Sequence, residues 1–274
     1  DSEPKMAKVN QVQVFKGPSS ESFGMGTTGG AINLQSKTAK AGTFYAADGL
    51  IGSGFWGRGT FDINQQINAN QVLRICGMVN EQKIEGRDHV RSDRQGLGAS
   101  FVTGLQTDTQ WTLNYLYQHN ERTPEYGVPI IGLGTGNGTP TKANPGLPVT
   151  ELGLPRSIFY GKSTDLDESN THMLTSRLKS EINPWLTVTN DTRLSYFDRY
   201  FSTSGPGCDA TCAVSFFNGG NPVMTYAGGS PTYDQDSWAI QNLTTAVAKF
   251  NTGFLRHQAV AGVDVFYAGN GRES

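Results

Sequence analysis

The 274-residue chain has little charge, little cysteine and no long hydrophobic run. Asp, Glu, Lys and Arg make up 17% of it, against roughly 25% in ordinary soluble domains. No stretch approaches the ~18 consecutive apolar residues of a transmembrane helix; the best run, 128–133, is broken by Gly132. The net charge is -2 and no basic stripe is present, which argues against nucleic acid as a partner. Residues 1–10 carry no signal peptide and no initial Met, so the chain is expected to be an internal fragment. Catalytic and metal signatures are also missing. His89, His119, His172 and His257 lack metal-ligand spacing, and no G-x-S-x-G elbow occurs. Neither an enzyme nor a metal site is expected.

Helical periodicity is almost absent. Apolar residues recur at i, i+2, i+4, the strand period. In 185–201, Leu186, Val188, Leu194, Tyr196 and Tyr200 oppose Thr187, Thr189, Asp191, Arg193 and Arg199. In 71–80, Leu73, Ile75 and Val79 oppose Arg74, Cys76 and Asn80. The stretches 109–119, 171–182 and 255–267 alternate likewise, whereas in 238–250 Leu243 and Val247 share a face with Gln241 and Lys249. About nine long strands are expected after residue 42, near the ~9–11 residues of a tilted membrane-spanning strand. Globular strands usually run ~5–6 residues. Aromatic and β-branched residues spread along the chain argue against disorder.

A soluble sandwich would alternate too; the connections decide against it. Short turns are expected at 68–71, 107–108, 183–184 and 251–253, and long loops near 52–57, 82–94, 122–170 and 203–236. Short and long connections therefore fall at opposite strand ends, as in an outer-membrane barrel. Lipid offers no partner for open backbone groups, so such strands close on one another. Trp111, Trp185, Tyr196, Tyr200, Trp238 and Tyr267 near strand ends fit interfacial girdles, although each alone suits any β protein. Asp62, Arg74, Arg177, Lys179, Glu181, Arg193 and Arg199 are expected to face the lumen, wetted by water or paired with an inner domain. Cys208 and Cys212, in a loop outside the cell, are expected to form a local disulfide. Cys76 reads as a free thiol. Asp165, Asp167 and Glu168 suit a cation site less well than a solvated loop.

Residues 1–38 differ. Two strand-like runs, 12–15 and 31–34, flank a Gly/Ser-rich turn region, and 35–42 reads as a linker. The segment Gly24-Met25-Gly26-Thr27-Thr28-Gly29 matches G-x-G-x-x-G. A strand-like run follows it instead of a helix, so it reads as a turn and not as a nucleotide site.

The wider segment, Val14-Phe15-Lys16-Gly17-Pro18, then Phe23-Gly24, then Gly29-Gly30-Ala31-Ile32-Asn33-Leu34, resembles the end of the plug domain of TonB-dependent outer-membrane siderophore receptors. Gln13 stands where that family usually has an acidic residue. Arg58-Gly59-Thr60-Phe61-Asp62, Gly86-Arg87-Asp88, Thr123-Pro124-Glu125-Tyr126-Gly127, Arg156-Ser157-Ile158-Phe159-Tyr160-Gly161 and Val260-Ala261-Gly262-Val263-Asp264 continue the likeness over about residues 9–268. The likeness is greatest to catecholate-type members.

The resemblance implies an all-β chain: residues 1–38 as the C-terminal part of a plug and residues 39–274 as the first part of a transmembrane antiparallel barrel of about 22 strands. It implies Lys16, Gly17, Pro18, Gly24, Gly29, Gly30 and Asn33 as structural plug positions. It implies a ferric siderophore as ligand, with iron only inside that ligand and no cofactor. The TonB–ExbB–ExbD complex, engaged through upstream sequence, and outer-membrane lipid or lipopolysaccharide are the other implied partners, in the bacterial outer membrane. A ferric catecholate is anionic and aromatic, so its site should offer Arg donors and stacking rings. The long loops offer Arg87, Arg91, Arg94, Arg122, Tyr126, Arg156, Phe159 and Tyr160. Each also reads as a solvated loop charge or a packing aromatic, and Asp88 makes a local ion pair the simpler expectation for Arg87. The alternatives are a receptor for another TonB-imported ligand and a passive porin or adhesin barrel. The plug-like segment argues against a porin. Nine strands alone leave two open edges, so this chain by itself is expected to transport nothing.

Overall fold

A computed structural model describes residues 9–17, 29–131, 146–218, 225–226 and 231–273. β1 (Val9–Lys16) and β2 (Gly30–Ser36) form a two-stranded antiparallel sheet of their own. Gly30 must be glycine: its φ is +136°, and a Cβ there would sit 2.3 Å from the Phe15 carbonyl oxygen. Gly17, also at positive φ, donates its amide to the Gly29 carbonyl at 3.3 Å. Pro18 and Gly24, and the G-x-G-x-x-G segment up to residue 28, lie outside the described residues, as does the side chain of Asn33.

The remaining long strands make one nine-stranded antiparallel sheet in sequence order. They are β3 (Phe44–Gly52), β4 (Trp56–Asn68), β5 (Gln71–Lys83), β6 (Arg91–Thr103), β7 (Thr109–Arg122), β10 (Leu166–Asn183), β11 (Leu186–Ser202), β14 (Thr232–Thr252) and β15 (Leu255–Glu273). Short turns join them at one end. At the β10–β11 turn the Asn183 side chain accepts the amides of Trp185 and Leu186 at 3.1 and 2.9 Å, an Asx turn with Pro184 inside it. At β14–β15, Gly253 supplies the positive φ a tight hairpin needs. One expected long loop is not long: β3 and β4 are joined by residues 53–55 alone, because β4 already begins at Trp56.

The polarity of the sheet is inverted relative to a soluble domain. Directly paired residues share a face, so register sorts the side chains. On one face Asn64, Arg74, Ser100 and Thr112 are buried. The other face carries exposed Ile63, Val79, Leu97, Leu178, Ile240, Val263 and Tyr267. The unclear segment 238–250 resolves with Trp238, Ile240 and Phe250 on this apolar outer face and Leu243 and Val247 on the inner one.

Tyr117, His172, Tyr196 and Trp238 are register partners on four successive strands of the outer face. Tyr117 and His172 lie 5.0 Å apart between ring centres, and Trp238 and Tyr267, tilted to one another, 5.4 Å apart. Ten residue steps below His172, at the foot of β10, stands Ile182. At ~3.4 Å rise and ~40° tilt that span is about 26 Å, the height of an apolar barrel band.

Residues 37–42 are not a loose linker. They lie as a strap against the inner wall. The Ala39 amide donates to Ser100 Oγ at 2.9 Å and the Lys40 amide to Asn64 Oδ1 at 3.1 Å. Asn64 returns bonds to the carbonyls of Lys40 and Gly42. Arg74 grips both oxygens of Asp62 at 2.8 Å and donates to the Thr38 carbonyl, while Lys37 binds Asp62 at 2.8 Å. Ala39 packs with Val72, Val102 and Leu105 beneath this network.

Candidate functional site

The long connections gather at the end of the sheet opposite the short turns, and they fold on one another. β8 (Ile130–Ile131) pairs with β9 (Leu147–Pro148), and β12 (Pro206–Gly207) with β13 (Thr225–Tyr226). One helix, α1 (Ala210–Phe217), was not expected from the sequence. Its signal is a single residue: Asp209 accepts the Cys212 amide at 2.9 Å, an N-cap bond. Ile131, Val149, Tyr160, Cys208, Cys212 and Ala213 form the loops' own small core. A disulfide joins Cys208 to Cys212, with Cα atoms 5.2 Å apart; Cys76 is buried on the inner face and takes no part in a disulfide. Closing so short a loop stabilises by about 2 kcal/mol in the chain-entropy view. Changing both cysteines to Ser in the complete protein is expected to speed protease cleavage within 203–231 several-fold while the melting temperature of the long strands stays put.

The eight loop and rim residues proposed for ligand do not converge. Arg87 is held inside the loop body by an ion pair with Glu125 and a bond to the Arg156 carbonyl. The expected local pair with Asp88 is not made; the Asp88 amide instead donates to the Ser157 carbonyl at 2.7 Å. Tyr160 is 5% exposed in the loop core. Its hydroxyl has no hydrogen-bond partner among the described residues, and burial pushes its phenol up from the ordinary value, against the pull of the Arg87 charge. Phe159 is half-buried with its ring against Gly161. Arg91 faces outward, paired with Glu121 and 3.8 Å from Asp93. The side chains of Arg156 and Tyr126 are exposed. Only Arg94 and Arg122 belong to the inner wall.

That wall holds the best-built charged cluster. Asp167, 5% exposed, receives Arg122 Nε at 2.6 Å and Arg199 Nε at 2.7 Å. The Arg199 guanidinium lies 4.8 Å over the Phe201 ring, the Phe201 and Tyr233 rings lie tilted 5.2 Å apart, and Arg272 covers Tyr233 at 4.1 Å. The acidic trio is thereby separated, and neither a shared cation site nor a solvated loop results. Asp165 is buried, bound to the Ser204 hydroxyl and amide at 2.7 and 3.0 Å and to the Lys162 amide at 3.1 Å. Glu168 faces outward, 3.9 Å from His119. Of the other inner-face charges, Arg177 pairs with Asp191 and Lys179 with Glu181.

Sequence reading missed Phe201, Tyr233 and Arg272. A signal was present: Asp93-Arg94, Glu121-Arg122, Asp198-Arg199 and Arg272-Glu273 each put opposite charges on adjacent residues near a loop-side strand end. Adjacent residues face opposite ways, so all four arginines point inward and all four acids outward.

No family model matches the chain. The catecholate siderophore receptor Fiu of Escherichia coli is 32% identical over 259 residues, 93% of this chain and 33% of that protein. The probable TonB-dependent siderophore receptor PiuA of Acinetobacter baumannii is 27% identical over 264 residues, 95% of this chain and 33% of that protein. The open-form crystal structure of the ferric-catecholate import receptor Fiu of Escherichia coli matches with a TM-score of 0.78 at 29% identity, covering 96% of this chain and 40% of that one. The chain thus spans about a third of the length of the curated relatives it matches. By sequence and by fold, this all-β chain is homologous to the TonB-dependent siderophore receptors.

Proposed function

We propose that residues 1–38 end a plug domain, that residues 39–274 are nine wall strands of a barrel in the bacterial outer membrane, and that the complete receptor binds a ferric siderophore and imports it into the periplasm with energy from TonB. A catecholate-type ligand is favoured. The observation that carries this reading is the mouth of the inner wall, where three guanidiniums and two aromatic rings lie side by side from Arg122 through Arg199, Phe201 and Tyr233 to Arg272, in a chain related to a catecholate siderophore receptor. Guanidinium N–H groups suit the oxygens of an anionic catecholate, and ring faces suit its aryl groups. Asp167 positions two of the arginines; Tyr126 and Arg156 are exposed loop side chains. Iron enters as cargo already wrapped by its chelator, so no protein ligand to the metal is required.

The test is iron uptake by a receptor-deficient strain carrying the complete gene. Catecholate complexes should be taken up only when TonB is present. Equal uptake without TonB discards active transport, and uptake of hydroxamate complexes alone discards the catecholate reading.

A further inference from the structure

Two adjoining recesses lie on the outer face, at the loop-side edge of the apolar band. The first, of about 550 Å³, is mostly apolar: its outward-facing lining is Gly59, Phe61, Val79, Gln95, Leu97 and Tyr117. Gly59 keeps the hollow open, since a Cβ there would meet only Val79 Cγ2, at 3.5 Å. The second, of about 440 Å³, is lined by Leu97, Tyr115, Tyr117, Asn170, His172 and Asp198. The two share Leu97 and Tyr117.

The second recess is polar, and Asn170 is its hub. Asn170 Oδ1 accepts the Tyr117 hydroxyl at 3.2 Å and lies 2.9 Å from His119 Nδ1, while Nδ2 donates to Asp198 Oδ2 at 3.0 Å. The Tyr115 hydroxyl and His172 Nδ1 are 2.8 Å apart. One Asn170 N–H and the second Asp198 oxygen are left over. Asp198 has no cation beside it among the described residues, and its register partner on β14 is Asp236, an unfavourable pairing of like charges. Acyl chains can satisfy none of these groups. Farther toward the loops, Glu81, Asp93, Glu121 and Glu168 are register partners on four successive strands, so a bare phosphate is repelled there.

A sugar ring answers this set. It offers a C–H face to the Tyr117 and His172 rings, and hydroxyls that donate to Asp198 and accept from Asn170. A hydrocarbon chain answers the apolar recess beside it. We infer that the two recesses form one site for an acylated sugar lipid of the outer leaflet, with its headgroup on Asn170 and Asp198 and one chain against Gly59, Val79 and Leu97. The site rests on the reading above, in which this face meets lipid.

The test places the complete receptor in phosphatidylcholine nanodiscs doped with equal amounts of diglucosyl diacylglycerol and phosphatidylglycerol of the same chains. Native mass spectrometry then counts the lipid that stays bound after release from the disc. The sugar lipid should be retained about tenfold over phosphatidylglycerol. Asn170→Leu and Gly59→Leu each add apolar atoms to a lipid-facing surface, so folding should persist. Each should remove most of the preference, while ferric tris-catecholate binding and the melting temperature stay unchanged. Equal retention of the two lipids, or a preference that survives either variant, overturns the site and leaves the proposed function standing. A complete receptor that does not enter the discs overturns the membrane reading and the site together.

Discussion

Replacing Arg74 by Met in the complete receptor is expected to lower stability by about 3–5 kcal/mol, the usual result of removing one partner from a buried ion pair. Arg74 is 7% exposed and spends all three nitrogens of its guanidinium on Asp62 and the Thr38 carbonyl. The shorter, unbranched chain of Met follows the aliphatic stem of Arg but can donate nothing. Asp62 would keep Lys37 alone, and the Thr38 carbonyl would lose its donor inside the strap. Arg74→Lys should recover only part of the loss, because a point-charge ammonium cannot repeat the two-pronged grip. The double variant Asp62→Asn with Arg74→Met should be less damaging than the sum of its parts, by roughly 0.5–3 kcal/mol. The readout is the loss of folded, heat-modifiable barrel on heating in detergent. A variant that melts with the unmodified receptor would mean that lumen water replaces the guanidinium and that the strap is not held by this cluster.

The second large effect is local. Asp165→Ala should free the two long loops from each other, at a cost of about 3 kcal/mol for one buried carboxylate and its three donors. Those donors come from Ser204, in the 203–231 connection, and from the Lys162 amide on the other side. Cleavage of both loops by added protease should rise ten- to a hundredfold, since local opening sets the rate. The melting temperature should barely move, because the wall strands pair without this residue. Asp165→Asn, which keeps one acceptor, should fall between. Unchanged cleavage would show that the loop core around Ile131 and Val149 holds the loops together without it.

Much of the architecture is legible along the chain. Alternation in 185–201 assigns Leu194 and Tyr196 to one face and Arg193 and Arg199 to the other, and the structure agrees. The segment 238–250 was unclear because Leu243 and Val247 are apolar on the inner wall, a choice that only neighbouring strands explain. The loop residues were the least readable. Arg87 and Tyr160 look like ligand contacts as isolated residues but are packed into a loop body whose core joins segments far apart in sequence. Arg91 and Arg94 stand three residues apart on one strand, and that odd spacing puts them on opposite faces.

Strand period, turn chemistry and the facing of side chains in the cleanly alternating strands were determined by the sequence itself, because they depend on residues two or three positions apart. Register, the folded loop core and the strap on the inner wall were decided only by the tertiary structure. Hydrogen bonding between strands sets which distant residues become neighbours, and a one-residue slip in any pairing would send every side chain of that strand to the other face.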